Sequence, residues 1–248
     1  MTEQNNILTT NDLQIGYQGK VLCSSINLRL QPAKMVALMG VNGSGKSTLM
    51  RTLTGLAKAL KGSIEIEGKE IQKYSREDLS RLLAVVLTDH INAPEMTVKE
   101  LVGYGRYPHT GWFGRLRLED LQRIDEALAL VGMTEFKTRH LYTLSDGELQ
   151  RSLIARAIAQ ETKLIFLDEP ASHLDIPNKA MIINLLKQLT EDQGKTIIYS
   201  SHDLGMVKKY ADIIWLFDES GNLQEITFQQ GVESGLFERT FGEGYQSA

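Results

Sequence analysis

The chain has 248 residues, 42% hydrophobic and 23% charged, which excludes a disordered or fibrous design and leaves length for one large α/β unit with a sizeable core. The formal charge is −4 with no long basic block, which argues against a nucleic-acid backbone as partner. The single cysteine, Cys23, rules out an intramolecular disulfide and reads as a small buried residue of a reducing compartment.

Met1 to Thr10 is polar and lacks the basic-then-apolar order of a secretory segment. No stretch approaches the roughly 18 apolar residues of a membrane span, so a soluble, cytoplasmic chain is expected, free to sit on a membrane partner. Leu8 to Ile15 and Ile26 to Leu30 alternate apolar and polar residues and predict antiparallel strands, with Val21-Leu22 between them and a turn region at Gly16 and Gly19. Tyr17 stands in that turn, either as a lid on the core or as a platform on which a nucleobase stacks.

The stretch around which the rest is organised is Gly40-Val41-Asn42-Gly43-Ser44-Gly45-Lys46-Ser47-Thr48, set between the apolar run Met35 to Met39 and a helical stretch from Ser47 to Gly55. Strand, glycine-rich loop and helix in that order form the context that makes a P-loop pattern a structural claim. The glycines let backbone N–H groups point at phosphate oxygens, and the helix adds its positive end. Lys46 is placed to reach the β and γ phosphates, and the Ser47 hydroxyl to ligate Mg²⁺. The expected ligand is ATP or GTP with Mg²⁺.

A hairpin follows at Gly62 to Gly68, then a short helix from Ser75 to Leu83 and an apolar strand from Ala84 to Leu87. Helical spacing returns in Met96 to Tyr104 and in Leu118 to Val131. Between them, Gly105 to Gly114 reads as a loop carrying Arg106, Tyr107, Pro108, His109, Trp112 and Phe113, either an exposed docking surface or a satellite cluster that pins a long loop. Leu144-Ser145-Asp146-Gly147-Glu148 places Ser and Glu three apart before an amphipathic run, which is a capping box. Ser145 and Gly147 also present a hydroxyl and open N–H groups at a second helix N-terminus, another anion site.

Leu164 to Leu167 is a buried strand ending in Asp168 and Glu169. Two acids there are expensive unless a cation meets them, so Asp168 is expected to hold Mg²⁺ and Glu169 to act as general base toward water. The helix Asn178 to Glu191, the strand Lys195 to Ser200 and the strand Ile213 to Phe217 continue a rhythm that predicts a mostly parallel sheet with helices on both faces. His202, just beyond one strand end, is placed for the γ-phosphate or the attacking water. His90, His109, His140 and His173 show no metal-ligand spacing. The turn Glu219 to Asn222 leads into a short return strand, and Gln229 to Ala248 is a short tail.

Taken together these motifs resemble the nucleotide-binding subunits of ATP-binding cassette transporters, over roughly residues 7 to 242, with Ser172-His173-Leu174-Asp175 matching the family's D-loop. The resemblance implies an α/β P-loop NTPase with a mostly parallel core sheet, an N-terminal antiparallel β subdomain and an inserted α-helical signature subdomain. It divides the chain into a core of residues 1–88 and 161–242, a helical subdomain at 89–160 and a short tail at 243–248. It implies ATP and Mg²⁺ as ligands, Tyr17 as the adenine-stacking ring, and a head-to-tail dimer in which Lys46 of one copy and Ser145 and Gly147 of the other enclose one ATP, with Asp175 linking the two sites. Met96 to His109 is similar to importers of ferric siderophores, haem and vitamin B12. That likeness implies a multi-helix permease held near residues 88 to 114, an extracytoplasmic solute-binding protein beyond it, and a place on the cytoplasmic face of the membrane. A cassette serving nucleic-acid machinery, or a binder without turnover, are the readings outside transport.

Two positions depart from the family pattern. Thr88 stands where a glutamine usually reaches Mg²⁺, so a water or Asp89 is expected to bridge the shorter reach. Asp146 stands where the signature has glycine, and a carboxylate there repels phosphate unless its side chain points away.

Overall fold

The computed structural model describes residues 6–17, 19–87, 95–111, 114–172 and 174–242. Two sheets carry it. The first is antiparallel, built from β1 (Leu8–Tyr17), β2 (Lys20–Ile26) and β3 (Arg29–Leu30), later joined by β5 (Lys61–Ile66) and β6 (Lys69–Glu70), in the order β2-β1-β5-β6 with β3 also on β1. Gly16 and Tyr17, expected in a turn, belong to β1 and pair with Val21 and Lys20. The strand continues because Gly16 has no side chain: a Cβ there would lie 2.0 Å from the Lys20 carbonyl oxygen.

Between these strands come β4 (Met35–Met39) and α1 (Lys46–Leu53). Then follow α2 (Arg76–Leu82), β7 (Leu83–Val86), α3 (Val98–Gly103), α4 (Leu118–Leu130), α5 (Asp146–Ala159), β8 (Leu164–Leu167), α6 (Ile176–Gln193), β9 (Thr196–Ser200), α7 (Leu204–Tyr210), β10 (Ile213–Phe217) and β11 (Leu223–Ile226). The second sheet runs β11-β10-β4-β9-β8-β7, parallel throughout except for the β10/β11 pair. Every residue of β4, β8 and β9 is buried, as a central parallel strand covered on both faces requires.

Because strand side chains alternate, each central strand feeds two cores. Val36, Leu38, Leu164, Phe166 and Ile198 pack with α1 and the antiparallel sheet; Met35, Ala37, Met39, Ile165, Leu167, Ile197 and Tyr199 pack with α3 to α7. The parallel register sets the carboxyl ends of β4, β9 and β8 side by side, Leu38 opposite Ser200 and Tyr199 opposite Leu167. Gly40, Asp168 and Ser201 therefore leave the sheet along one edge, where ligands of open α/β sheets bind.

Two sequence expectations change. Residues Tyr104–His109 form a 3₁₀ helix rather than an exposed loop, and Arg106 is buried, with Nε 3.0 Å from Asp120 Oδ1 and Nη1 2.6 Å from Glu161 Oε2. Tyr104, Tyr107 and His109 are exposed in that stretch, the two tyrosine rings meeting edge to face at 4.7 Å, while Trp112 and Phe113 lie outside the described residues. The tail also carries two short helices, α8 (Phe228–Glu233) and α9 (Leu236–Phe241), the second anchored by buried Leu236 and Phe237.

Candidate phosphate-binding and hydrolytic site

The loop after β4 is shaped by what its glycines permit. Gly40 has φ of 149°, and a Cβ on it would sit 2.7 Å from Ser44 Oγ and 2.9 Å from Phe217 Cβ, so no larger residue fits. Lys46 folds back over the loop it follows: Nζ donates to the carbonyls of Gly40 at 2.8 Å and Val41 at 3.1 Å. Burial pushes the Lys46 ammonium down from its usual range, and the carboxylates of Glu169 and Asp168 act in the opposite direction. The acids thus help keep charged a lysine that desolvation works to neutralise.

Three features show that a phosphate fits here. Ser44 Oγ is buried with no partner. α1 starts at Gly45 without a side-chain cap, and no acid occupies its first turn. Its leading N–H groups therefore remain as donors beside a cationic side chain. Asn42, Gly43 and Ser47 are exposed on the same loop, and Thr48 is half-buried. Among the described residues no cluster of three or more His, Cys, Asp or Glu could hold a metal unaided. Mg²⁺ is a hard cation that takes one or two protein oxygens plus those of a phosphate, and Ser47 and Asp168 are the oxygens that could hold it. Thr88 lies outside the described residues.

β8 delivers the acids. Asp168 is 3% exposed and its N–H donates to the Val86 carbonyl at 2.8 Å, which holds the chain on the sheet for one more residue. At Glu169 the backbone turns left-handed, with φ of 48°. That turn sends Glu169 toward the next strand end, where His202 Nε2 lies 2.9 Å from Oε1. The structure thus brings Lys46, Asp168, Glu169 and His202 to one edge, as the sequence predicts. It also adds Ser200, a residue the sequence reading passed over as the last position of a strand. A hydroxyl closing an otherwise apolar run beside two acids is the signal that could have found it.

The remaining candidates stand apart. Tyr17 ends β1 with its ring 60% exposed. Asp175 caps α6, its Oδ1 accepting from the Asn178 N–H at 3.0 Å. Ser145 caps α5 in a complete capping box: its N–H and hydroxyl both lie within 2.7 and 2.9 Å of Glu148 Oε2, and its Oγ accepts from the Glu148 N–H at 3.3 Å. Among the described residues no hydrogen bond or ion pair joins this turn to Lys46, Asp168 or Glu169. Whatever Ser145 and Gly147 do for a nucleotide, they do from a separate place on the chain.

A glycine loop opening a helix, a buried lysine folded over it, and a buried aspartate followed by a part-buried glutamate at the end of β8, which β9 separates from β4, define a P-loop nucleoside triphosphatase. Comparison with known proteins narrows this. The model of the ABC transporter family matches residues 23–172. The iron(3+)-hydroxamate import ATP-binding protein FhuC of Bacillus subtilis is 36% identical over 237 residues, 95% of this chain and 88% of that protein. The ferric enterobactin transport ATP-binding protein FepC of Escherichia coli is 33% identical over 242 residues, 98% of this chain and 89% of that one. Among solved structures, CbiO1 of Clostridium perfringens, part of the ABC transporter complex CbiONQ, superposes with a TM-score of 0.78 at 28% identity, covering 95% of this chain and 94% of that one. The chain belongs to the ABC transporter family as an ATP-binding subunit, an enzyme whose ATP hydrolysis is coupled to transport. No described helix is long and apolar enough to cross a membrane.

Proposed function

We propose that the chain is the energy-coupling ATPase of an importer for iron–siderophore complexes, working as two head-to-tail copies on the cytoplasmic face of a membrane permease that is fed by an extracytoplasmic solute-binding protein. The observation that carries the catalytic half is the convergence of Lys46, Asp168 and the Glu169–His202 pair on one sheet edge. The iron-chelate cargo rests on the names of the two curated relatives.

In this reading Tyr17 stacks on adenine, and the loop of Gly40, Asn42, Gly43, Ser44 and Gly45 wraps the phosphates with Lys46 and Thr48. Ser47 and Asp168, with Thr88, would hold Mg²⁺, which would supply charge neutralisation for the phosphates. Glu169 accepts a proton from the attacking water, and His202, 2.9 Å from its carboxylate, keeps that carboxylate aimed and contacts the γ-phosphate side. Ser145 and Gly147 of the second copy close over the same nucleotide through the start of α5, and Asp175 at the start of α6 links the two sites. Residues 89–160 move as a helical unit against a core of 1–88 and 161–242, and segments near 88 to 114 carry that motion to the permease.

The test is ATP hydrolysis by the chain copurified with its permease in vesicles, with binding protein loaded in turn with ferric siderophores, haem and cobalamin. Stimulation by a ferric siderophore, abolished by Glu169→Gln, is the expected result. Stimulation by haem or cobalamin alone moves the cargo assignment, and a chain that copurifies with no permease ends the import reading.

A further inference from the structure

One hydroxyl joins the two acids. Ser200 closes β9, is 1% exposed, and places Oγ 2.6 Å from Asp168 Oδ1 and 2.7 Å from the amide nitrogen of Glu169. An amide only donates, so the hydroxyl accepts there and has a single proton left, which goes to the Asp168 carboxylate. Both bonds thus have a fixed direction. The last sheet bond of this strand runs from the Asp168 N–H to Val86; at the next residue, Glu169, the backbone is left-handed and the N–H donates instead to Ser200, which supplies the acceptor that the sheet no longer provides.

We propose that Ser200 is the positioning residue of the acid pair, holding the Asp168 carboxylate by its side chain and Glu169 by its main chain, so that the Glu169 carboxylate stays within reach of His202. The inference rests on the assignment of Asp168 and Glu169 to ATP hydrolysis and deepens it by naming what aims them. A non-glycine residue keeps a positive φ only where its surroundings over-determine it; at Glu169 the N–H donates to Ser200 while the carbonyl accepts from the Ser172 N–H and hydroxyl, and of these partners Ser200 is the one that also holds Asp168. Without it, Glu169 loses the partner of its N–H and relaxes toward ordinary backbone, which swings its carboxylate off His202. Asp168 loses the donor that fixes which oxygen faces the loop of Lys46.

The experiment compares the chain with its permease as wild type, Ser200→Ala, Ser200→Thr, Glu169→Gln and the Ser200→Ala/Glu169→Gln double variant. Steady-state hydrolysis is measured beside thermal unfolding and binding of a fluorescent ATP analogue with and without Mg²⁺. Ser200→Ala is expected to lower kcat about 10–100-fold, the loss usual for a group that orients a ligand-bearing residue, with KM and Mg²⁺-free affinity held within about twofold. The gain in affinity on adding Mg²⁺ shrinks, Ser200→Thr restores turnover because it keeps the hydroxyl, and the double variant is no slower than Glu169→Gln alone. Should Ser200→Ala not fold, Ser200→Cys, which holds the volume with a weaker hydrogen bond, carries the same comparison. Normal turnover in Ser200→Ala alone, or a loss that merely tracks the folded fraction, overturns the proposal and leaves the hydrolytic assignment standing. Normal turnover in Glu169→Gln overturns both.

Discussion

Two helices of this chain begin at ends that the proposed function assigns to a nucleotide, and they begin in opposite chemical states. α1 opens on Gly45 with no side-chain cap and no acid in its first turn, beneath an orphaned Ser44 hydroxyl. α5 opens on Ser145 with both halves of a capping box closed, Asp146 and Glu148 in its first turn, and Arg139 Nη1 3.6 Å from Glu148. The first end is left with unmet donors; the second is satisfied internally. In the proposed function, an anion reaching α5 would compete with the Glu148 carboxylate, so closure there would depend on a nucleotide already held by the other copy. That asymmetry fits the proposed two-copy clasp, with capture by one copy and conditional closure by the other.

The sharpest way to break this comparison is at the open end. Lys46→Ala removes the cationic side chain folded over the loop, and hydrolysis is expected to fall by about 10²–10³-fold, the scale measured for losing one charge-stabilising donor. If turnover survives that change, the α1 end is not where phosphate charge is met. Next in size is Tyr17→Ala. An exposed ring that stacks on a base contributes roughly 1–3 kcal/mol, so ATP affinity is expected to drop about 5- to 150-fold, and GTP affinity with it, since every base has a π face. A titration with fluorescent nucleotide that shows no change assigns Tyr17 to the strand end alone.

What could be read in the sequence and what could not divides along physical lines. β4, β8 and β9 were legible because strands buried on both faces must be continuously apolar, and the glycines of residues 40 to 45 because a phosphate cradle tolerates little else. Gly16 misleads because a glycine between strands usually signals a turn, whereas here it permits close approach to the Lys20 carbonyl. Arg106 sits in a polar, glycine-flanked stretch, and nothing local reveals that its partners Asp120 and Glu161 lie 14 and 55 positions on. α8 and α9 have six residues each, too short for a periodic signal, and are held by tertiary packing such as the Phe228–Phe237 ring contact at 5.3 Å. In the site, Lys46, Asp168, Glu169 and His202 announce themselves by residue type, while Ser200 acts through two hydrogen bonds that only the β8/β9 register creates.

The closed end gives smaller and more diagnostic effects. Asp146 is exposed at the first position of α5, where a carboxylate steadies the helix by about 0.3–1 kcal/mol and repels an arriving phosphate by a similar amount. Asp146→Asn is therefore expected to lower thermal stability slightly while raising ATP-driven association of two copies by a few-fold. Both changes fade as salt rises, because the charge is solvent-facing. Stability and association moving in the same direction would show that Asp146 does not face the nucleotide.

Glu148 offers the finest test, because its charge and its hydrogen bonds can be separated. The Ser145 N–H donating to its carboxylate holds Glu148 below the ordinary carboxylate range, with the Ser145 hydroxyl and Arg139 acting in the same direction against desolvation. A folded-state pKa below the unfolded one means that the charged form contributes stability above the unfolded pKa and that this contribution is lost as pH falls through the folded value. Glu148→Gln keeps the capping geometry and removes the charge, so the variant is expected to be less stable than wild type by about 0.3–1 kcal/mol at neutral pH. The two should converge as the pH is lowered beneath the carboxylate range. Urea melts of both proteins from pH 7 downward measure the gap directly. A gap that stays constant with pH makes the capping box a matter of hydrogen bonding alone, and then the Glu148 charge is no part of what an incoming phosphate would displace at α5.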